Sequence, residues 1–193
     1  MAAPSFLRYV TQYEMNQLQP WLGTAHEGSE SEVNSIWNAA LYQYFVDPSP
    51  KQRLIQPEAT PFNSRSKIDL ALADMEYSPD FLKTPFLVLF EGKSKAGDDW
   101  KHAIRQLFDY AVEVTKVQTQ KTVWLIGGKG AEVKFWRFVY TDQEQMKAIK
   151  WDISKLDSQN PTFENQTGGP TYKLALNRIE IQKILTYIAG RIA

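Results

Sequence analysis

The sequence contains no cysteine, only 2 histidines and no net charge, with 22 basic and 22 acidic side chains among 193 residues. The absence of cysteine excludes disulfides, thiolate nucleophiles and cysteine-ligated metal sites. No apolar run approaches the roughly 18 residues that a transmembrane helix requires. Most nonspecific nucleic-acid binders are basic, so a chain without net charge can bind phosphate only through a local basic surface.

The remaining composition is typical of one globular domain. Hydrophobic residues make up 43% and charged residues 23% of the chain, and the length suits one domain with a sizeable core. With no internal repeat and no dividing linker, we expect a single domain over residues 1–193. The first residues lack the charged start and apolar run of a secretory signal. We therefore expect an intracellular protein, cytoplasmic or nuclear, without membrane association.

Hydrophobic periodicity predicts helices that alternate with strands. Helices are expected over three stretches, about 30–45, 98–116 and 177–190. Strands are expected over four stretches, about 66–74, 85–93, 122–126 and 132–139. Gly127-Gly128-Lys129-Gly130 is predicted as the hairpin turn of the last two strands, and Asp47–Asn63 as a proline-dotted connection. This order predicts an α/β layer fold with a short mixed β-sheet flanked by helices.

The second predicted strand is almost entirely apolar but ends in Glu91-Gly92-Lys93. Because strand side chains alternate between faces, the side chains of Glu91 and Lys93 point the same way. Burying an acid beside a lysine costs desolvation energy. The pair therefore indicates either a structural ion pair or a metal site.

Strand register can bring a second carboxylate to this pair. If strands 66–74 and 86–94 form a hairpin that pairs Asp69 with Glu91, then Asp74 faces Phe86 and the turn falls on a segment with Ser-Pro-Asp turn signals. Two neighbouring carboxylates raise each other's pKa unless a cation neutralises them. Mg²⁺ is the natural cation, because it takes oxygen ligands and uses only one or two carboxylates.

The spacing Asp69-x21-Glu91-x-Lys93 across a hairpin resembles the PD-(D/E)XK nuclease superfamily, with Ile68 in place of the proline. In the second helix, Gln106 and Tyr110 stand one turn apart and resemble the Gln-x-x-x-Tyr motif of its RecB-like branch. The Ser-Glu-Ser-Glu start of the first helix also resembles nuclease-like domains of fungal genomes. The resemblance covers about residues 28–140 and implies a restriction-endonuclease-like core.

This resemblance implies a Mg²⁺- or Mn²⁺-dependent nuclease that hydrolyses phosphodiester bonds, with nucleic acid as its partner and DNA preferred to RNA. The carboxylates of Asp69 and Glu91 and the main-chain carbonyl of Gly92 would hold the metal. Lys93 would orient the attacking water, and Gln106 would hold the lysine or a phosphate.

The resemblance also implies supporting residues around the centre. The first helix would add an acid, Glu32 in slight preference to Glu30. Substrate would be contacted by Tyr110 and by basic residues at the entrance: Lys67, Lys95, Lys101 and Arg105.

Simpler interpretations stand beside these. Glu32 can serve only the capping box of its helix, and Gln106 and Tyr110 can belong to a solvated helix face. Residues 116–137 carry five basic side chains against one acidic, which indicates either a phosphate-facing surface or an ordinary solvated one. Within them, Lys134–Phe138 alternates basic and aromatic residues like a single-strand binder or an amphipathic edge strand. Two other functions stay open: a nuclease-fold module that binds nucleic acid or protein without cutting, and an interaction domain of unrelated α/β fold.

Overall fold

The computed structural model describes residues 29–46, 52–60, 67–75, 85–141, 144–152, 160–165 and 168–192. Over these ranges the chain forms an eight-stranded mixed sheet and three α-helices, which confirms the predicted α/β class. The helices are α1 (Glu30–Leu41), continued by a π-helical turn (Tyr42–Val46), then α2 (Trp100–Val117) and α3 (Arg178–Ile192). The strands are β1 (Arg53–Ala59), β2 (Ile68–Asp74), β3 (Phe86–Lys93), β4 (Thr122–Lys129), β5 (Glu132–Tyr140), β6 (Glu144–Lys150), β7 (Thr162–Glu164) and β8 (Tyr172–Lys173). No described helix is long and apolar enough to cross a membrane.

The sheet follows chain order from β1 to β7, and β8 pairs with β5. Neighbouring strands are antiparallel except β3 and β4, which run parallel. A parallel pair needs a long crossover connection, and α2 supplies it. The sheet is wider than the predicted short sheet. Strand β1 lies in the segment predicted as a connection, and β6, β7 and β8 follow the last predicted strand.

Helices cover both faces of the sheet and divide the core in two. On one face, α1, the π-helical turn and α3 pack on apolar residues of the central strands, including Phe90, Ile126 and Phe135. On the other face, α2 packs on a second apolar cluster that includes Leu89, Leu125 and Phe138. The central strand β3 is buried along its whole length, as a parallel strand covered on both faces must be.

The β2–β3 hairpin has the predicted register at the end that carries the charges. Leu70 pairs with Phe90, so Asp69 and Glu91 are the next residues on each strand. The predicted pairing of Asp74 with Phe86 is wrong by one residue, because the register shifts after Leu72 and Ala73 pairs with Phe86 instead. The extra β3 residue is Leu87, which joins Val88 in the α1-side core. The bulge thus buries one more apolar side chain.

The predicted turn Gly127-Gly128-Lys129-Gly130 is also wrong in part. Residues 127–129 belong to β4 and pair in parallel with Glu91, Gly92 and Lys93. The chain reverses only at Gly130 and Ala131, because Lys129 already pairs with Glu132. Gly130 has a φ of 54°, which glycine adopts without strain. Strand pairing with β3 therefore extends β4 through two glycines that sequence alone marks as a turn.

Candidate functional site

Asp69, Glu91 and Lys93 meet at one end of the sheet, where β2 begins and β3 ends. The backbone N–H of Gly92 donates a hydrogen bond of 2.7 Å to Oδ2 of Asp69. The Nζ of Lys93 donates one of 2.8 Å to Oε1 of Glu91. Ligands of α/β sheets bind beyond the carboxyl ends of parallel strands, and β3 and β4 both end here. The structure thus brings together the three side chains that the predicted hairpin register placed side by side.

Burial dominates the electrostatics of this cluster. Glu91 is 2% exposed and Lys93 is 8% exposed. Burial, followed by the charge of Asp69, raises the pKa of Glu91 to about 7 although Lys93 opposes the change. Burial likewise raises the pKa of Asp69, although the hydrogen bond from Gly92 acts to lower it. Burial works against the charge of Lys93, but the hydrogen bond and charge of Glu91 outweigh it and raise the pKa of Lys93. The lysine is therefore a stable cation and Glu91 an acid that titrates near neutrality.

The cluster has more acids than bases, and one of its oxygens lacks a partner. Oε2 of Glu91 is buried and makes no hydrogen bond in the described part of the chain. Such an atom costs roughly 1–3 kcal/mol, more when the group is charged. Within the described ranges, no three or more His, Cys, Asp or Glu side chains form a group that could hold a metal ion. Any cation here would rest on two carboxylates, the backbone and water.

Helix α1 contributes Glu30 rather than Glu32. The Glu32 carboxylate accepts a hydrogen bond from the backbone N–H of Ser29 and completes the capping box. Oε2 of Glu30 lies 3.8 Å from Nζ of Lys93. Both acids lie in the first helical turn, but only one can reach Lys93 while the other caps the helix. The structure therefore brings the less preferred of the two predicted acids to the site.

Asn34, which the sequence did not single out, also belongs to this site. Its side-chain amide works against the rise in the pKa of the Asp69 carboxylate. It lies one turn after Glu30, so both project from the same face of α1. That four-residue spacing from a candidate acid is the signal that could have identified Asn34.

Two glycines let α1 come close enough to reach the site. A Cβ on Gly92 would stand 2.0 Å from Oδ1 of Asn34, and a Cβ on Gly128 would stand 3.1 Å from Nε1 of Trp37. These glycines pair with each other across β3 and β4. They form a shallow notch that any larger side chain would fill.

Helix α2 carries Gln106 and Tyr110 and packs on the face of the sheet opposite α1. The hydroxyl of Tyr110 donates a hydrogen bond to the backbone carbonyl of Lys67, just before β2. Burial, with the nearby charges of Glu91 and Asp69, raises the pKa of Tyr110 to about 12. Oε1 of Gln106 is buried without a hydrogen bond in the described residues. The solvated-face interpretation therefore fails for Tyr110, which is buried. Gln106 is half-buried, and His102 is exposed and lies 3.6 Å from Asp98.

The predicted entrance lysines and arginine are all exposed, and two of them have acidic partners. Nζ of Lys67 donates to Glu58 at 2.7 Å. Nε of Arg105 lies 3.8 Å from Asp109. Lys95 follows the site on the loop after β3, and Lys101 lies in the first turn of α2. These residues therefore lie just before β2, on the loop after β3 and on α2.

The basic stretch 116–137 does not form one phosphate-facing surface. Lys134 is buried, its Nζ donates to the carbonyl of Gly168 and lies 5.1 Å from the centre of the Trp100 ring. The guanidinium of Arg137 lies 4.5 Å from the centre of the Phe163 ring. The aromatic residues of Lys134–Phe138 are also buried in the core. They cannot stack on bases, so the single-strand-binder interpretation of this segment is wrong.

Comparisons with protein-family models, with curated proteins and with solved structures find no match for this chain. Function must therefore be inferred from the chemistry of the site. A buried carboxylate (Glu91) and a half-buried one (Asp69), both with raised pKa values, stand beside the ammonium group of Lys93 at one end of the sheet. Such a group of side chains can bind a hard cation, hold a water by hydrogen bonds and offset negative charge on a substrate.

Proposed function

We propose that this protein is a metal-dependent nuclease with the PD-(D/E)XK fold, which hydrolyses phosphodiester bonds in DNA in preference to RNA. The observation that carries the proposal is the β2–β3 register, which sets Asp69 beside Glu91 and Lys93 at one end of the sheet. Packing alone does not favour this arrangement, because two acids and a lysine there cost more desolvation energy than apolar side chains. A role in metal binding and catalysis would explain why these charged side chains are placed there.

The residues present fit Mg²⁺ or Mn²⁺. Asp69, Glu91 and the carbonyl of Gly92 are oxygen donors, which these hard cations prefer. Oε2 of Glu91 has no hydrogen-bond partner in the described residues, and a cation would satisfy it. When bound, the metal lowers the pKa of water and offsets negative charge on the phosphate.

The chain's own residues supply the remaining functions. Lys93 is held by Glu91 and Glu30, so its ammonium group is fixed where it can orient a water and neutralise charge that develops on phosphate. Gln106 presents a buried acceptor oxygen without a partner, which suits a hydrogen bond from the lysine, from water or from substrate. Tyr110 braces the start of β2 through the Lys67 carbonyl and so holds the strand that carries Asp69.

Incubation of the protein with supercoiled plasmid, linear single-stranded DNA and RNA tests the proposal. Each substrate is offered with Mg²⁺, Mn²⁺ or EDTA, and Lys93→Ala is compared with Lys173→Ala, an exposed lysine on β8. We expect metal-dependent cleavage of DNA that Lys93→Ala abolishes and Lys173→Ala retains. Loss of one well-placed electrostatic group lowers kcat by about 10²–10³.

Each other outcome has a defined meaning. Cleavage that persists in Lys93→Ala assigns the activity to a contaminant or to other residues, and so contradicts the site. An inactive protein that still binds DNA and Mn²⁺ supports the second function, a module that keeps the fold without cutting. A protein that neither cuts nor binds metal or nucleic acid excludes the nuclease and a nucleic-acid-binding module, and it leaves a protein-binding module or an interaction domain of unrelated fold.

A further inference from the structure

Two basic side chains stand directly opposite each other on β5 and β6, on the face of the sheet that α3 covers. Arg137 pairs with Lys147 in the register of these strands. The residues that flank them in this register belong to the core on the α2 side, so the two basic side chains lie on the other face. Like charges directly opposite each other destabilise a sheet. This pair therefore needs an anion to offset its charge.

No described acid neutralises the pair. Within the described ranges the guanidinium of Arg137 has no ion pair, and its Nε is buried without a hydrogen bond. The half-buried Lys147 likewise has no ion pair or side-chain hydrogen bond there. Glu164 on the neighbouring strand β7 pairs with Ala148 and so faces the α2 side, where its Oε1 lies 3.1 Å from Nζ of Lys150.

Two aromatic rings connect this pair to a third cation on α3. The guanidinium of Arg137 lies 4.5 Å from the centre of the Phe163 ring. The centre of the Tyr187 ring lies 6.4 Å from that of Phe163, and the guanidinium of Arg191 lies 5.0 Å from the Tyr187 ring. Arginine stacked on an aromatic ring keeps its N–H groups free to donate to phosphate. The rings thus hold both guanidinium groups in place on this face.

This group of cations is separate from the candidate centre. Arg137 pairs with Trp124, which precedes Gly127 on β4 by three residues, and Gly127 pairs with Glu91. Three residues along a strand correspond to ~10 Å, and the two strand spacings from β3 to β5 add ~10 Å across the sheet. An anion bound here would not touch the reacting phosphate.

We infer that Arg137, Lys147 and Arg191 form a second contact surface for nucleic acid, which binds the phosphate backbone of DNA away from the candidate centre; this inference rests on the proposed function. The chain has no net charge, so its affinity for phosphate must come from local surfaces of this kind. Contacts to the backbone carry no base information, so the surface adds affinity without sequence preference. A contact remote from the scissile bond stabilises bound substrate and transition state equally, which lowers KM and leaves kcat unchanged.

The salt dependence of DNA binding tests the surface without cleavage. A fluorescein-labelled duplex is titrated with protein in EDTA at several NaCl concentrations, and Kd is measured by fluorescence anisotropy. We expect Arg137→Gln and Lys147→Gln each to lower the slope of log Kd against log salt by about 1, and to weaken binding about tenfold at roughly 50 mM salt. Lys150→Gln removes the same charge from the other face, and it should keep the slope and affinity of wild type.

Cleavage kinetics and a third variant complete the test. In the cleavage assay, Arg137→Gln and Lys147→Gln should raise the KM for DNA about tenfold with kcat unchanged, to the same extent for two duplexes of different sequence. Arg191 is exposed, so Arg191→Gln should melt like wild type. It should also lower the salt slope, and it decides the question if Arg137→Gln does not fold.

Failure of this inference is distinguishable from failure of the proposed function. If wild type cuts DNA but the variants keep its salt slope, the surface is wrong and the nuclease stands. If wild type binds DNA without cutting and the variants lower the slope, the nuclease fails and the surface stands. If wild type does not bind the duplex, or Lys150→Gln loses as much affinity as the other variants, the surface is overturned and the cleavage assay alone decides the nuclease.

Discussion

Replacing Glu91 with glutamine should stabilise the metal-free protein at high pH. Glutamine keeps the size of the side chain and the oxygen that accepts from Lys93, but it carries no charge at any pH. Burial and the charge of Asp69 raise the pKa of Glu91 from 4.5 to about 7 in the folded protein. The ionised carboxylate therefore opposes folding, and the neutral glutamine removes that opposition.

The sign and size follow from the two pKa values. Below about pH 4.5 Glu91 is protonated in both the folded and the unfolded state, and it contributes nothing to the pH dependence. As pH rises from 4.5 to about 7, the unfolded state loses its proton first and the folded state becomes less stable. At about 1.4 kcal/mol for each pKa unit, the loss reaches roughly 3 kcal/mol by pH 8. For a chain of this size that equals about 6–12 °C in melting temperature.

Urea denaturation of wild type and Glu91→Gln in EDTA, at several pH values from 4.5 to 8, measures this difference. We expect the free energy of unfolding of the variant, relative to that of wild type, to rise steadily up to about pH 7 and then to stay constant. Glu58→Gln is the control, and its stability relative to wild type should change with pH in the opposite direction. The hydrogen bond and charge of Lys67 lower the pKa of exposed Glu58. A difference between wild type and Glu91→Gln that is independent of pH, or that increasingly favours wild type, would refute the electrostatic account of the site.

Two further substitutions test the packing around the site. Gly92→Ala should lower the free energy of unfolding by about 1–3 kcal/mol, because its Cβ would stand 2.0 Å from Oδ1 of Asn34. Asn34→Ala in the same chain should restore most of the loss, and urea denaturation that finds no such rescue would contradict the proposed clash. Arg53→Met should cost about 2–4 kcal/mol, because the guanidinium donates to backbone carbonyls at the ends of the π-helical turn and of α3. Arg105→Met, at an exposed ion pair, should change the melting temperature little, and similar losses in the two variants would argue against the role of Arg53.

The centre of the fold was predictable because its signals are local. An uninterrupted apolar strand, an alternating strand before it and charges at matching ends specify the β2–β3 register without any distant contact. Strand β1 carried no such signal, since Pro57 interrupts it and most of its residues are exposed. It is a strand because it pairs with β2, and propensity does not contain that information.

The candidate site was predictable in its chemistry and less so in its supporting residues. The capping-box spacing of Ser29 and Glu32 is visible in the sequence, but only the structure shows that Glu32 stays at the helix end while Glu30 reaches Lys93. Gly127 and Gly128 have the composition of a turn, but the parallel strand beside them makes them strand residues. Asn34 matters only because two glycines admit α1 to the sheet. Each of these depends on contacts between elements, which periodicity does not report.

The same contacts argue that the site is kept for more than stability. An ordinary core would replace Glu91 by an apolar residue, since the buried acid has one oxygen without a partner in the described residues and a pKa near 7. Gly92 and Gly128 sacrifice side-chain packing in two central strands, although glycine is unfavourable inside strands. Oδ1 of Asn34 adds a second unpartnered buried oxygen. Natural proteins accept such costs at functional sites, and the features named here lie together around the Asp69 and Glu91 carboxylates. A bound cation would relieve the charge that makes them costly.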